Sequence, residues 1–275
     1  VVGLGVGASM AEIKDHEFSK FQSFIFDEAG ITLADTKKAL VSGRLAKRLA
    51  HYRLDSYSDY LKLLLGKSDP GEVQIAVDLL TTNETYFFRE PRHFDLLRQL
   101  ARDAAREERA LRVWSAASST GEEPYSIAMV LADAQGDLPW SVLGTDLSSR
   151  VLRHARIGHY QQERANNVPV DYLKSYCLRG IGTETGTLLI QRGVRDRVQF
   201  SQVNLNKPLP ALGQFDIIFL RNVLIYFNGE TKRQVVQRLL GHLRPGGHLL
   251  IGHSETLNDI NSTVRSIAPS IYMKP

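Results

Sequence analysis

The run from Arg112 to Met129 reads RVWSAASSTGEEPYSIAM. It opens on a short apolar stretch, turns through small residues, and enters a segment of helical periodicity at Pro124. A buried strand, a tight turn and a helix explain that order, because small residues permit close backbone approach and proline suits a first helical turn. The rhythm continues downstream. Strands are expected at about Leu111 to Ala116, Ser141 to Gly144, Val198 to Val203, Phe215 to Leu220 and His248 to Ile251. Helical patterns lie between most of them, including Pro124 to Ala134 and Glu230 to Leu243. This alternation predicts an α/β fold of right-handed βαβ units, with a mostly parallel sheet covered by helices on both faces.

One interval breaks the rhythm. About forty residues separate the helix near Ser149 to Ile157 from the strand at Val198, too many for a plain loop. Within them Tyr176 to Arg179 and Leu188 to Gln191 are β-like and flank Gly180, Gly182 and Gly186, which predicts an inserted hairpin.

Upstream the spacing changes to helical. Phe18, Phe21, Ile25 and Phe26 share a face, with Gly30 as a C-terminal stop. A second helix is expected from Asp35 to Tyr52, then shorter ones at Tyr57 to Leu65 and Glu72 to Leu80. Lys37, Arg44, Lys47, Arg48 and His51 share a sector of the second helix, and no acid lies between Asp35 and Asp55 to neutralise them. Such a run is either a solvated face or a surface for an acidic partner. Thr81 to Phe94, TTNETYFFREPRHF, is polar, aromatic and interrupted by Pro91, as suits a connector crossing a cleft. A charged helix from Phe94 to Glu108 should follow it.

Composition narrows the class. The chain has 275 residues, 43% hydrophobic and 23% charged, with a net charge of +4. Those values exclude a disordered tail, a collagen-like fibre or a disulfide scaffold. The single cysteine, Cys177, excludes an internal disulfide and any Cys-x-x-Cys site and points to a reducing compartment. No apolar run approaches the roughly 20 residues of a membrane span. Val1 to Ser9 reads as an expression scar or frayed tail before a start at Met10.

In an open parallel sheet, ligands bind beyond the carboxyl ends of the strands, where the strand order reverses. The turn Ser115 to Pro124 lies at such an end but lacks G-x-G-x-x-G. Glu122 and Glu123 at the same helix terminus would repel a phosphate and suit a cationic or hydroxyl-bearing ligand; Glu122 is assigned to the helix dipole. An NAD-dependent dehydrogenase is disfavoured on that ground. Asp146, ending LGTD, is placed to accept both hydroxyls of a ribose or to cap the following helix. The apolar run of FDIIFLRNVLIYF, Phe215 to Phe227, stops at Arg221 and Asn222, bringing polar groups to the sheet mouth. Tyr226 is either a core tyrosine or a phenol beside a reacting group. The eight histidines show no ligand spacing, so no metal is expected.

TTNETYFFRE, RVWSAASSTGEEPYSIAM, the aspartate of LGTD, the pair in QVNL, FDIIFLRNVLIYF and GHSE at Gly252 to Glu255 occur in one order over nearly the whole chain. Together they resemble the chemotaxis receptor methyltransferases, the CheR-type protein-glutamate O-methyltransferases. The resemblance implies a Rossmann-like class I methyltransferase sheet, an N-terminal helical bundle domain and a small inserted β-subdomain. The expected boundaries are a tail to residue 14, helices over 15–80, a connector over 81–95 and the methyltransferase domain over 96–275, with the insertion at about 160–197. It implies S-adenosylmethionine as cofactor and glutamate side chains of a chemoreceptor cytoplasmic domain as acceptors. Cofactor contacts are then expected from Asn83, Thr85, Arg89, Glu123, Asp146, Asn204, Leu205, Asn222 and Val223. Asp146 would hold the ribose, Asn204 and the Leu205 backbone the adenine, and Asn222 the methionine end. Arg89 and Tyr226 would orient the acceptor carboxylate.

Lys37, Arg44 and Lys47 are the expected receptor-facing cations, and the inserted subdomain is a candidate site for a receptor C-terminal peptide. A cytoplasmic monomer that does not bind nucleic acid is the expectation. The competing readings are a nucleic-acid methyltransferase and a non-catalytic module that binds the cofactor or its demethylated product.

Overall fold

The computed structural model describes residues 12–66 and 69–275. Most of the N-terminal tail expected from the sequence therefore lies outside the described residues. The contact pattern divides the chain into two compact units, one ending at Thr82 and the other spanning Asn83–Pro275.

The first unit is built from helices α1 (Asp15–Ala29), α2 (Lys38–Tyr52), α3 (Tyr57–Leu65) and α4 (Pro70–Leu80). Gly30 ends α1 in the left-handed conformation, at φ 71°. Ser56 and Asp69 cap α3 and α4 by accepting the N–H groups of Asp59 and Glu72. Phe21, Ile25, Val41, Leu45 and Tyr60 form the buried interior. Asp35–Lys37, expected as the start of α2, is a separate 3-10 turn.

The basic sector of α2 is not wholly free of acid. Glu72 of α4 is buried, accepts a hydrogen bond from Arg48 Nε at 2.8 Å and from the Tyr60 hydroxyl, and pairs with the Arg48 guanidinium. Burial alone would raise the Glu72 carboxyl, but the bonds from Arg48 and Tyr60 hold it below the usual carboxylate range. Arg48 is thus a structural cation, paired across a sequence distance that local reading could not bridge.

The second unit centres on a seven-stranded sheet. Its strands are β1 (Arg112–Ser115), β2 (Ser141–Asp146), β6 (Val198–Gln202), β7 (Phe215–Leu220), β8 (Leu243–Ile251), β9 (Arg265–Ala268) and β10 (Ile271–Met273). The spatial order is β6-β2-β1-β7-β8-β10-β9. Pairings among β6, β2, β1, β7 and β8 are parallel, whereas β10 runs antiparallel to both β8 and β9. The order reverses at β1, whose neighbours are β2 and β7. Helices α5 (Pro91–Arg106), α6 (Glu122–Gln135), α7 (Ser149–Ile157) and α10 (Gly229–Leu240) accompany the sheet.

Several boundaries differ from the sequence reading, two of them at prolines. Pro91 opens α5 instead of interrupting a connector, and α6 starts two residues before Pro124. The interior of this unit includes Trp114, Phe94, Ile127, Phe215 and Phe219.

The inserted segment is larger than a hairpin. β4 (Cys177–Arg179) and β5 (Thr187–Ile190) pair antiparallel, and β3 (His159–Gln161) joins the other side of β5. Helices α8 (Val170–Tyr176) and α9 (Arg192–Arg195) flank this small sheet. Among the described residues no helix is long and apolar enough to cross a membrane.

Candidate active site

The carboxyl ends of five parallel strands bring Ser115, Asp146, Gln202, Leu220 and Ile251 to one rim. The turns that follow them contain most of the residues singled out by the sequence. Asp146 Oδ2 accepts the Ser119 N–H at 2.8 Å and its Oδ1 accepts the Ser148 N–H at 2.9 Å. The carboxylate is thereby fixed between the turns after β1 and β2. Ser119 also donates its hydroxyl to the Asn83 carbonyl at 2.7 Å, which ties the segment before α5 to the same turn.

Gly121 closes that turn at φ 99°, and a side chain there would meet the Tyr160 hydroxyl at 2.7 Å. Glu123 stands on the first turn of α6. Its Oε1 accepts from Ser115 Oγ at 2.7 Å, and its Oε2 lies 3.3 Å from Arg221 Nη1. Burial raises the Glu123 carboxyl above its ordinary value, against the opposing pull of Arg221.

Arg221 is the buried cation of the rim. It faces Glu90 Oε2 at 3.4 Å as well as Glu123, and it donates to the Arg89 carbonyl. Burial raises Glu90, but Arg221 and neighbouring groups bring it below the usual carboxylate range. Asn222 next to it is left-handed at φ 57°, as are Glu90 at φ 60° and Ser119 at φ 48°. Such conformations cost about 1 kcal/mol or more each in non-glycine residues and persist only where surroundings fix them.

Here the surroundings are visible. Glu255 of GHSE accepts the N–H groups of Asn222 at 2.9 Å, Gly252 at 2.6 Å and Ile225 at 3.2 Å. A side chain at Gly252 would come within 2.6 Å of Asn222 Nδ2.

The remaining candidates are distributed around this frame. Asn204 and Leu205 follow β6, where the Val203 N–H donates to the Asp146 carbonyl at 3.0 Å. The Leu205 carbonyl accepts a hydrogen bond from Arg238 Nη1 at 3.0 Å. Val223 precedes the 3-10 turn Leu224–Tyr226, and Tyr226 is half-buried at its end.

Thr85 offers its carbonyl to Arg164. The Arg89 guanidinium lies over the Tyr86 ring and donates to the Glu84 carbonyl at 3.3 Å, without a salt bridge among the described residues. Lys37, Arg44 and Lys47 belong to the other unit. Lys37 and Lys47 are exposed, while Arg44 is half-buried and donates to the Thr81 carbonyl at 3.1 Å.

Sequence reasoning placed Arg221 at the sheet mouth without giving it a role, and it singled out none of Glu90, Ser119, Arg164 and Glu255. Glu122, assigned to the helix dipole, does stand in the first turn of α6 and is in addition fully buried and paired with Arg164. Glu90 and His93, three residues apart, and His253, distant from both in sequence, bring one ligand-type atom each within 4.8 Å of one another. Burial pushes His93 down to about 4, and Arg221 adds to that depression.

The donor set at the rim suits a cationic nucleoside. Asp146 and Glu123 present carboxylates where a dinucleotide site would need unopposed amide donors, and small residues line the approach. S-adenosylmethionine, with its sulfonium and ribose, fits that chemistry.

Residues 83–273 match the family model described as "CheR methyltransferase, SAM binding domain", and residues 16–81 match "CheR methyltransferase, all-alpha domain". The chain belongs to the CheR methyltransferase family. It is 41% identical to chemotaxis protein methyltransferase 2 of Pseudomonas aeruginosa over 93% of this chain and 92% of that one. It is 40% identical to the chemotaxis protein methyltransferase of Escherichia coli, over 94% of this chain and 91% of the other. The Salmonella typhimurium protein of that name is 41% identical, over 90% and 86% respectively. This CheR protein is therefore an S-adenosylmethionine-dependent methyltransferase of chemotaxis, and its sheet is the methyltransferase sheet expected from the sequence.

Proposed function

We propose that this chain transfers the methyl group of S-adenosylmethionine to glutamate side chains of chemoreceptor cytoplasmic domains, forming methyl esters for sensory adaptation. The observation that carries the reading is the division of labour between two arginines. Arg221 lies between Glu90 and Glu123 inside the site, whereas the Arg89 guanidinium forms no salt bridge among the described residues and rests on the Glu84 carbonyl and the Tyr86 ring face. An incoming carboxylate thus has a guanidinium to meet.

A glutamate has a reference pKa of about 4.3 and is ionised at neutral pH, so the nucleophile needs no general base. The cofactor supplies an activated methyl: a carboxylate oxygen bonds to that carbon as the carbon–sulfur bond breaks and its electron pair stays on sulfur. The protein's work is placement and desolvation. Asp146 holds the ribose hydroxyls, Asn204 and the Leu205 N–H meet the adenine, and Asn222 with Val223 borders the methionine end. Asn83, Thr85 and Glu123 complete the enclosure. Arg89 steers the acceptor carboxylate, and Tyr226 donates one hydrogen bond to aim it.

Lys37 and Lys47, with Arg44 partly committed to Thr81, form a cationic face for an acidic receptor helix. Such a face raises encounter rate and sets register. β4 is an edge strand of the inserted sheet, and Leu178 on it and Ile181 just after it are exposed, which suits addition of a receptor C-terminal peptide as a further strand. The setting is the cytoplasm, with membranes reached only through the receptor. A nucleic-acid acceptor is disfavoured because Phe87 and Phe88 are buried, leaving Tyr86 as the exposed ring of that trio.

The test is incubation with radiolabelled cofactor, receptor-bearing membranes and RNA in parallel. Base-labile label on receptor protein is the expected result; label on RNA, or base-stable label, contradicts it.

A further inference from the structure

Beyond these contacts, one side chain of the inserted subdomain reaches into the cofactor turn. Arg164 stands on the 3-10 turn Gln162–Ala165, directly after β3. Its Nε donates to Glu122 Oε1 at 2.8 Å and its Nη2 pairs with the same oxygen. The same Nη2 donates to the Thr85 carbonyl at 3.0 Å. Glu122 is fully buried, and its other oxygen accepts from Thr120 Oγ1 at 2.6 Å.

Tyr160, on β3 itself, adds two contacts. Its hydroxyl donates to the Thr120 carbonyl at 2.7 Å, and its ring meets Phe87 edge-on at 5.0 Å. The subdomain therefore grips both the turn that leads to Glu123 and the segment that carries Thr85.

We propose that Arg164 is a positioning residue for the cofactor pocket, fixing the Glu122–Glu123 turn and the Thr85 backbone relative to each other. The inference rests on the reading that Glu123 and Thr85 border the cofactor. A carboxylate without water requires a cation, and a simple counter-ion would satisfy Glu122 alone. The planar guanidinium does more, because its fork reaches a carboxylate and a carbonyl in one geometry, which the point charge of lysine cannot reproduce. Without Arg164, Glu122 must turn towards water or another donor, and that change shifts the first turn of α6 under Glu123.

The test measures S-adenosylhomocysteine affinity by calorimetry, together with cofactor KM and kcat, for the wild type, Arg164→Ala, Arg164→Lys and Asp146→Ala. Arg164→Ala is expected to raise Kd and cofactor KM about tenfold, with kcat at saturating cofactor within about threefold of wild type. Arg164→Lys should recover most of the melting temperature but leave Kd about threefold raised, since the charge returns without the Thr85 contact.

A merely structural arginine would lower melting temperature and leave Kd per folded molecule unchanged. Folded Arg164→Ala with wild-type affinity overturns the proposal; should that variant not fold, wild-type affinity in Arg164→Lys does so. The Asp146→Ala arm separates the two readings. Weakened binding there beside unchanged Arg164 variants removes only the role of Arg164. Wild-type affinity in Asp146→Ala removes the pocket reading and this proposal with it.

Discussion

Asp146 accepts the Ser119 N–H at 2.8 Å, so the acid ending the second strand and the turn leaving the first are one hydrogen-bonded piece. The residue proposed to hold the ribose thus also sets the shape of the turn around it. Asp146→Ala is expected to weaken S-adenosylhomocysteine binding by about 1.5–3 kcal/mol, the scale of lost charge-assisted hydrogen bonds. Calorimetry checks this, and an unchanged Kd would take Asp146 out of the pocket.

Arg89 differs in being tied to the fold through its backbone. Its carbonyl receives Arg221 while its guanidinium projects over Tyr86. Arg89→Ala should therefore lower kcat by about tenfold or more while moving cofactor Kd much less, as expected of a group that orients the second substrate. Single-turnover kinetics beside equilibrium binding tells the two effects apart; equal losses in both would reassign Arg89 to cofactor binding.

The exposed cations of the first unit predict a salt effect. Reversing Lys37 and Lys47 to glutamate should slow receptor methylation at low ionic strength and leave S-adenosylhomocysteine affinity intact. The difference from wild type should shrink as salt rises and the Debye length falls to about 8 Å near physiological ionic strength. A rate independent of salt in the wild type would count against steering.

His93 predicts a pH dependence of stability. Its folded pKa is pushed down to about 4, first by burial and then by Arg221, whereas an unfolded histidine titrates near 6.5. Between those values the unfolded chain binds the extra proton, so stability rises with pH there and falls as pH drops. One such proton gives a slope of up to about 1.4 kcal/mol per pH unit. Denaturant titrations from pH 4 to 7 should show this component in the wild type and its loss in His93→Gln; identical slopes would place the histidine in a solvated setting.

The parallel strands and the helix pattern were legible because buried strands are continuous apolar runs, and Phe215–Leu220 is buried throughout. β9 was not, since three of its four residues are exposed and Ile267 is its one large apolar side chain. β8 was cut short in the sequence reading because Pro245, Gly246 and Gly247 interrupt it near its start. At the site, Asp146 and Asn222 stood out as polar residues ending apolar strands. Arg221 adjoined Asn222 in the same motif, yet its importance lies in carboxylates from two other segments, Glu90 and Glu123. Glu122 does stand in the first turn of α6, but its ion-pair partner was not legible for the same reason, as it lies 42 residues on in the inserted segment. Local periodicity reports which face is buried, not which distant charge will arrive there.

The central claim is that a carboxylate oxygen of a receptor glutamate receives the methyl group. Peptide mass spectrometry of a receptor cytoplasmic fragment, after incubation with this protein and S-adenosylmethionine, tests it most directly. The account predicts a gain of one methylene on glutamate residues, reversed by mild base. Methylation on lysine, arginine or a backbone terminus, or a fragment unchanged beside active turnover on nucleic acid, would contradict it.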